Sequence, residues 1–126
     1  MPTISTSKNK MTSLLHLLFK VQQDLDSLLL GQTGIGLSAY RILSTLDDKV
    51  TYSQRQIAVE LSQTEANISR QIRHMAEYNL VKIAPDKKDK RQRNISLTSK
   101  GQKKFSAAQK VLAHNEAAIL NLIKRV

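Results

Sequence analysis

The 126 residues include no cysteine and no tryptophan, only two prolines and only four glycines. Without cysteine the chain cannot build a disulfide framework, a thiolate metal site, a thiol nucleophile or a thiol oxidation switch. No uninterrupted apolar run approaches the ~18 residues needed to cross a bilayer, so membrane insertion is not expected. Lys8 and Lys10 precede the apolar stretch from Leu14 to Phe19, an arrangement that superficially resembles a secretion signal. However, His16 interrupts the stretch, Lys20 and Asp24 follow it, and no small-residue cleavage site is present, so the segment reads as an amphipathic helix. The expected compartment is the cytoplasm.

Acidic groups are also scarce: 10 Asp and Glu stand against 20 Lys and Arg, for a formal charge of +10. This balance points to a polyanionic partner, nucleic acid before an anionic membrane surface. The excess is not evenly spread. Residues 82–110 hold 10 basic and 2 acidic groups, whereas residues 62–81 hold 2 of each. Such concentration indicates a contact patch rather than a general solubility device. With 40% apolar residues the chain can bury a core, and its length suits a single domain. A flexible leader over residues 1–10 is expected, followed by one domain over 11–126.

Leu14, Leu18, Val21, Leu25 and Leu28 recur at alternating spacings of four and three, which predicts one helical stripe. This helix is expected to end at the cluster Gly31-Gln-Thr-Gly34-Ile-Gly36. No strand precedes that cluster and no Lys-Ser or Lys-Thr follows it, so it reads as a helix stop and linker rather than a phosphate loop. Ser38 is placed to cap a second helix through Tyr40, Ile42, Leu43 and Leu46. Val50-Thr51-Tyr52 reads as one rung of a small sheet. Ser53-Gln-Arg-Gln56 has the form of a capping box, opening a helix through Ile57, Ala58 and Leu61. After Ser62-Gln63, Thr64 can cap another helix running to about Tyr78.

Two helices this close form a helix-turn-helix, whose second helix commonly enters the DNA major groove. Ile68, Ile72 and Met75 fall on one face of that helix. Ala66, Asn67, Arg70, Arg73, His74 and Glu77 fall on the other, where Arg and Asn are the side chains suited to bidentate contacts with guanine and adenine. Strands over Leu80–Ala84 and Asn94–Thr98 would be joined by a basic loop, Pro85–Arg93, and this hairpin reads as a wing. Lys87, Lys88, Lys90, Arg91 and Arg93 supply its charge, and Asp89 can pair with Arg91 and orient it. A basic tip of this kind can reach phosphates or place Arg in the minor groove.

Thr98 can cap a last helix running to Val126, whose residues 102–126 would span roughly 37 Å if wholly helical. Phe105, Ala108, Leu112, Asn115, Ile119, Leu122 and Val126 form a heptad seam containing one Asn, a device that fixes register and partner number. The terminal helices need more cover than the central domain gives, so they are expected to pack on each other and on a second copy. Leu14, Leu18, Val21, Leu25, Leu112, Asn115, Ile119 and Leu122 are the candidate dimerisation residues. His16, His74 and His114 fall on three separate helices with no Glu-rich cluster nearby, so neither a metal site nor a cofactor is expected. His74 is read as facing a phosphate. No Ser-His-Asp spacing or carboxylate pair sits where a pocket would form, which argues against an enzyme. The alternative is a basic architectural or membrane-surface protein that binds polyanions without sequence specificity.

The stretch Asp86-Lys-Lys-Asp89-Lys-Arg91-Gln-Arg-Asn-Ile95-Ser-Leu97-Thr98-Ser-Lys-Gly101 resembles the wing signature of the multiple antibiotic resistance regulator (MarR) family of winged-helix transcription factors. Leu37-Ser38-Ala-Tyr-Arg-Ile42-Leu43 and Thr64-Glu-Ala-Asn67-Ile68-Ser69-Arg70 support the resemblance, which covers about residues 11–112. It implies a mostly α fold with a small β-wing: a winged helix-turn-helix over 37–98, flanked by dimerisation helices over 11–36 and 99–126. It also implies a cytoplasmic homodimer, usually a repressor, on a pseudo-palindromic double-stranded DNA operator. The recognition helix would lie in the major groove, with Thr64 and Ser69 joining the candidate contacts, and Arg91 would reach the minor groove. A small aromatic or phenolic effector would enter between the dimerisation helices and the winged domain. Two departures stand out. The family generally has a further helix after the long one, and the turn position it usually fills with an apolar residue is here Gln63.

Overall fold

A computed structural model describes residues 10–46 and 51–124. The leader expected over 1–10 lies outside these apart from Lys10, as do Val50 of the predicted rung and Val126 of the predicted seam. The first helix, α1 (Lys10–Thr33), does not stop at Gly31. It continues to Thr33 and ends where Gly34 takes φ +82°, with the Gly34 N–H donating to the Leu30 carbonyl at 3.1 Å. A lone glycine inside a helix is tolerated at a cost of about 1 kcal/mol, whereas the stop requires the left-handed residue that follows.

The next helix, α2 (Leu37–Thr45), corrects a second expectation. Ser38 is already inside the helix, Gly36 occupies the cap position, and no local side chain caps it. The cap comes from α1 instead, where Asp26 Oδ1 accepts from the Leu37 N–H at 2.9 Å. A Cβ on Gly36 would lie 2.5 Å from that same oxygen, so glycine at 36 is what lets the carboxylate approach. The pairing spans 11 residues, and local spacing gives no sign of it.

A short strand, β1 (Tyr52–Ser53), leads into α3 (Gln54–Leu61), which opens with the predicted capping box. Ser53 Oγ accepts from the Gln56 N–H at 3.1 Å, and Gln56 Oε1 accepts from the Ser53 N–H at 2.9 Å. The chain turns through Ser62 at φ 55° into α4 (Glu65–Glu77), capped as expected by Thr64 Oγ1, which accepts from the Asn67 N–H at 3.1 Å. Asn79, the residue type that best tolerates φ > 0 after glycine, ends α4 at φ 62°. Strands β2 (Val81–Pro85) and β3 (Arg93–Leu97) form the hairpin, and β3 lies between β1 and β2 in a three-stranded antiparallel sheet. Pro85 pairs with Arg93, so both belong to the strands and the connecting loop is 86–92.

Ile42 and Leu43 of α2, Ile57 of α3, Ile68 and Ile72 of α4 and Ile95 of β3 are fully buried together with Leu29 of α1. Beyond β3, Thr98 caps α5 (Ser99–His114), its Oγ1 accepting from the Gly101 N–H at 2.9 Å while also donating to the Leu80 carbonyl. A Cβ at Gly101 would overlap the Leu80 carbonyl oxygen, so α5 starts pressed against the turn that leads from α4 into β2. The helix then breaks at Asn115 (φ −103°, ψ 5°), and a separate α6 (Glu116–Lys124) follows. The single long helix and its uninterrupted heptad seam are therefore corrected, and with them the expectation that no further helix follows the long one. At the break Asn115 Nδ2 donates to the Val111 carbonyl at 2.8 Å, a local bond of the kind that makes Asn a poor helix interior.

Candidate nucleic-acid interface

Three elements position the candidate contacts. Burial of Ile68, Ile72 and Met75 presses one face of α4 into the core, which turns Ala66, Arg70, Arg73 and Glu77 to solvent with Asn67 half-buried beside them. Thr64 is exposed at the cap and Ser69 is half-buried on the flank nearer the wing. His74 is exposed, but it stands edge-on to Tyr78 with ring centroids 5.0 Å apart, beside a cleft away from the wing. His74 thus stands at the mouth of that cleft. Tyr78 is itself 57% exposed.

The wing tip is folded by two aspartates rather than one. Asp86 Oδ1 accepts from the Lys88 N–H at 2.8 Å, and Asp89 Oδ1 accepts from the Arg91 N–H at 3.1 Å. Each is the short-range turn bond that Asp makes two residues ahead. The Gln92 carbonyl closes the loop by accepting from the Asp86 N–H at 3.0 Å. Asp89 Oδ1 also lies 3.3 Å from Arg91 Nε, while the Arg91 side chain is 92% exposed. The carboxylate thus holds the near end of the guanidinium and leaves its two terminal nitrogens free. Lys87, Lys88, Lys90 and Arg93 are exposed around it.

Between the wing and the starts of α3 and α4 runs an open groove of about 600 Å³, lined among others by Ser53, Arg55, Glu65, Ser69, Arg91 and Arg93. Two capped helix N-termini border it, where backbone N–H groups and the helix dipole favour anions. Arg55 Nε donates to Glu65 Oε1 at 3.2 Å, tying the two helix starts together at the surface. Sequence reasoning missed Arg55, which comes to the groove only through the fold. It also left Asp86 without a role, although the repeated Asp-Lys-Lys and Asp-Lys-Arg pattern carried the signal.

A second cleft, of about 520 Å³, is lined from α1, α2, α4 and α5, with Asp26, Gln71, His74, Tyr78, Lys100 and Lys104 among its lining residues. Among the described residues Gln71 Oε1 has no hydrogen-bond partner, although it is buried there. Lys104 Nζ donates across to the Thr33 carbonyl, capping the end of α1 from α5.

Of the candidate dimerisation residues, Val21 is buried within the subunit and offers no free surface. Leu14, Leu25, Leu112, Asn115, Ile119 and Leu122 are half-buried, and Leu18 is 42% exposed. The larger exposed apolar side chains lie beside them: Met11, Leu15 and Phe19 on α1, Leu120 and Ile123 on α6. Among the described residues no helix is long and apolar enough to cross a membrane.

A helix-turn-helix with a basic hairpin packed after its second helix defines a winged-helix DNA-binding domain. The comparisons with known proteins narrow this class. The sequence profile of the MarR family matches residues 33–92. The HTH-type transcriptional regulator PrsX of Escherichia coli is 30% identical over 119 residues, covering 84% of this chain and 72% of PrsX. The fold matches AbsC, a MarR family transcriptional regulator from Streptomyces coelicolor, with a TM-score of 0.77 at 21% identity, over 99% of this chain and 83% of AbsC. It also matches a point variant of S. aureus MepR bound to an oligodeoxyribonucleotide, with a TM-score of 0.64 at 22% identity, over 94% and 84% of the respective chains. The chain belongs to the MarR family of transcriptional regulators.

Proposed function

We propose that the protein is a sequence-specific, homodimeric repressor that binds a pseudo-palindromic operator as a cytoplasmic, nucleoid-associated protein without catalytic activity. In each subunit α4 lies in the major groove, with Asn67 and Arg70 reading base edges, and Arg91 enters the minor groove while the lysines of the wing meet phosphates. The observation that carries this reading is the shared exposure of the polar face of α4 and of Arg91, with the groove and its two helix N-termini between them. The bound oligodeoxyribonucleotide of S. aureus MepR supports it by likeness of fold. The cleft between α1, α2, α4 and α5 is proposed to take a small aromatic or phenolic effector. Gln71 Oε1 would accept a hydrogen bond from its hydroxyl, and Lys100 at the cleft wall would favour an acidic effector.

The test is selection of bound sequences from a random duplex pool, followed by competition at fixed salt between the selected site and random duplex. A two-fold symmetric site with a clear preference over random duplex is expected. Arg70→Ala is expected to weaken binding to that site by about 1–3 kcal/mol and to relax preference at one position of each half-site. Equal binding to both duplexes would favour a basic architectural protein that holds phosphates alone.

A further inference from the structure

We infer that Gln63, in the turn between α3 and α4, is the positioning residue that orients the Asn67 amide for base reading. The inference rests on the proposed reading of DNA by α4 and assigns to the turn a part in specificity. Gln63 stands where the family pattern has an apolar residue, and it is half-buried. Its Oε1 accepts two bonds from α4, from Asn67 Nδ2 at 2.6 Å and from Gln71 Nε2 at 3.1 Å. Asn67 and Gln71 are one helical turn apart on the same stripe, so the acceptor sits between them.

An asparagine amide standing alone on a helix face turns about its last torsion and offers oxygen or nitrogen in either order. Here the Gln63 acceptor draws the Asn67 NH2 toward the turn. Asn67 Oδ1 is left on the side of Arg70, whose terminal nitrogen lies 3.5 Å away. Asn67 keeps one free N–H and a free lone pair in a fixed order along the groove, which are the two groups that adenine N7 and N6 require. Gln71 holds the acceptor in turn. Because its own Oε1 has no partner among the described residues, its amide bond to Gln63 is what sets its orientation. An apolar side chain at 63 would fill the turn and leave the Asn67 amide free to present both orders.

The test compares the whole protein with its Gln63→Leu and Gln63→Glu variants on the selected duplex, on its single-base-pair variants and on random duplex. Asn67→Ala identifies the base pair that Asn67 reads. Gln63→Leu is expected to lower discrimination at that base pair by roughly five- to tenfold, with other positions and random duplex unchanged. Gln63→Glu keeps acceptors for both amides, so it should retain the discrimination while its added charge weakens all duplexes together. A second readout needs no DNA: in the native protein the side-chain amide protons of Asn67 should exchange slowly with solvent and one should resonate away from its free-amide shift, whereas in Gln63→Leu both should move to free-amide shifts and exchange faster. The inference is overturned if Gln63→Leu leaves discrimination intact or lowers it evenly at all positions. It is equally overturned if Gln63→Glu loses discrimination, or if the Asn67 signals do not respond. Held Asn67 signals in a protein that binds all duplexes alike would instead overturn base reading by α4, and the specificity role of Gln63 with it.

Discussion

At the scale of single residues, the groups that shape the interface are mostly held by bonds to neighbours two to four positions away. Those bonds were legible in the sequence: Ser53 with Gln56, Thr64 with the Asn67 N–H, Asp89 with Arg91. What could not be read were bonds whose partners meet only after folding, such as Asp26 on the start of α2 and Lys104 on the end of α1. Two predictions belong here. Ser53→Ala removes one acceptor of the capping box and should destabilise the fold by about 1 kcal/mol, measured as a lowered urea midpoint with unchanged slope. Arg91→Ala should weaken operator binding without moving that midpoint, because the side chain is almost wholly exposed. Asp89→Ala should weaken binding less, since it releases the guanidinium without removing it. A loss in Asp89→Ala as large as in Arg91→Ala would show that the aspartate folds the wing rather than aims the arginine.

At the scale of elements, α4 and the wing could be read from the chain because each carries its own start, stop and apolar period. The last helix could not. A 3,4 repeat running through Asn115 looks the same whether the helix continues or breaks, and the break depends on how the Asn115 amide competes for the Val111 carbonyl. The end of α1 was misplaced for a similar reason, since three glycines in six residues mark a stop without saying which of them takes the left-handed conformation. Asn115→Ala removes the competing amide and supplies the best helix former. It should draw α5 and α6 toward one helix, lengthening the distance between spin labels placed on exposed Lys103 and Asn121. An unchanged distance would assign the break to packing of α6 against α1 instead. In α4, Ile72→Ala leaves a cavity at a site with no exposure and should cost about 2–5 kcal/mol by denaturant unfolding.

At the scale of the whole molecule, charge and apolar surface divide the protein into two ends. The basic excess lies on the wing and the start of α5, while Met11, Leu15, Phe19, Leu120 and Ile123 leave α1 and α6 with exposed apolar side chains. The composition foretold the first end. At the second end Val21 is buried within the subunit, and exposed neighbours such as Phe19 are the side chains that the proposed second copy would cover. Phe19→Glu is accordingly expected to shift the protein from dimer to monomer in sedimentation and to weaken operator binding, with the melting temperature of the winged domain little changed. A dimer that survives this change would move the interface off α1.

The three residues between Thr33 and Leu37 include two glycines and would look, on composition, like the place to cut or lengthen the chain. Yet Lys104 grips the carbonyl before them and Asp26 the amide after them. A protease should therefore pass this linker over in the native protein, and a single inserted residue there should be poorly tolerated. Among the described residues the backbone of the wing tip hydrogen-bonds within residues 86–92, so there the chain should accept both a cut and an insertion while the fold survives.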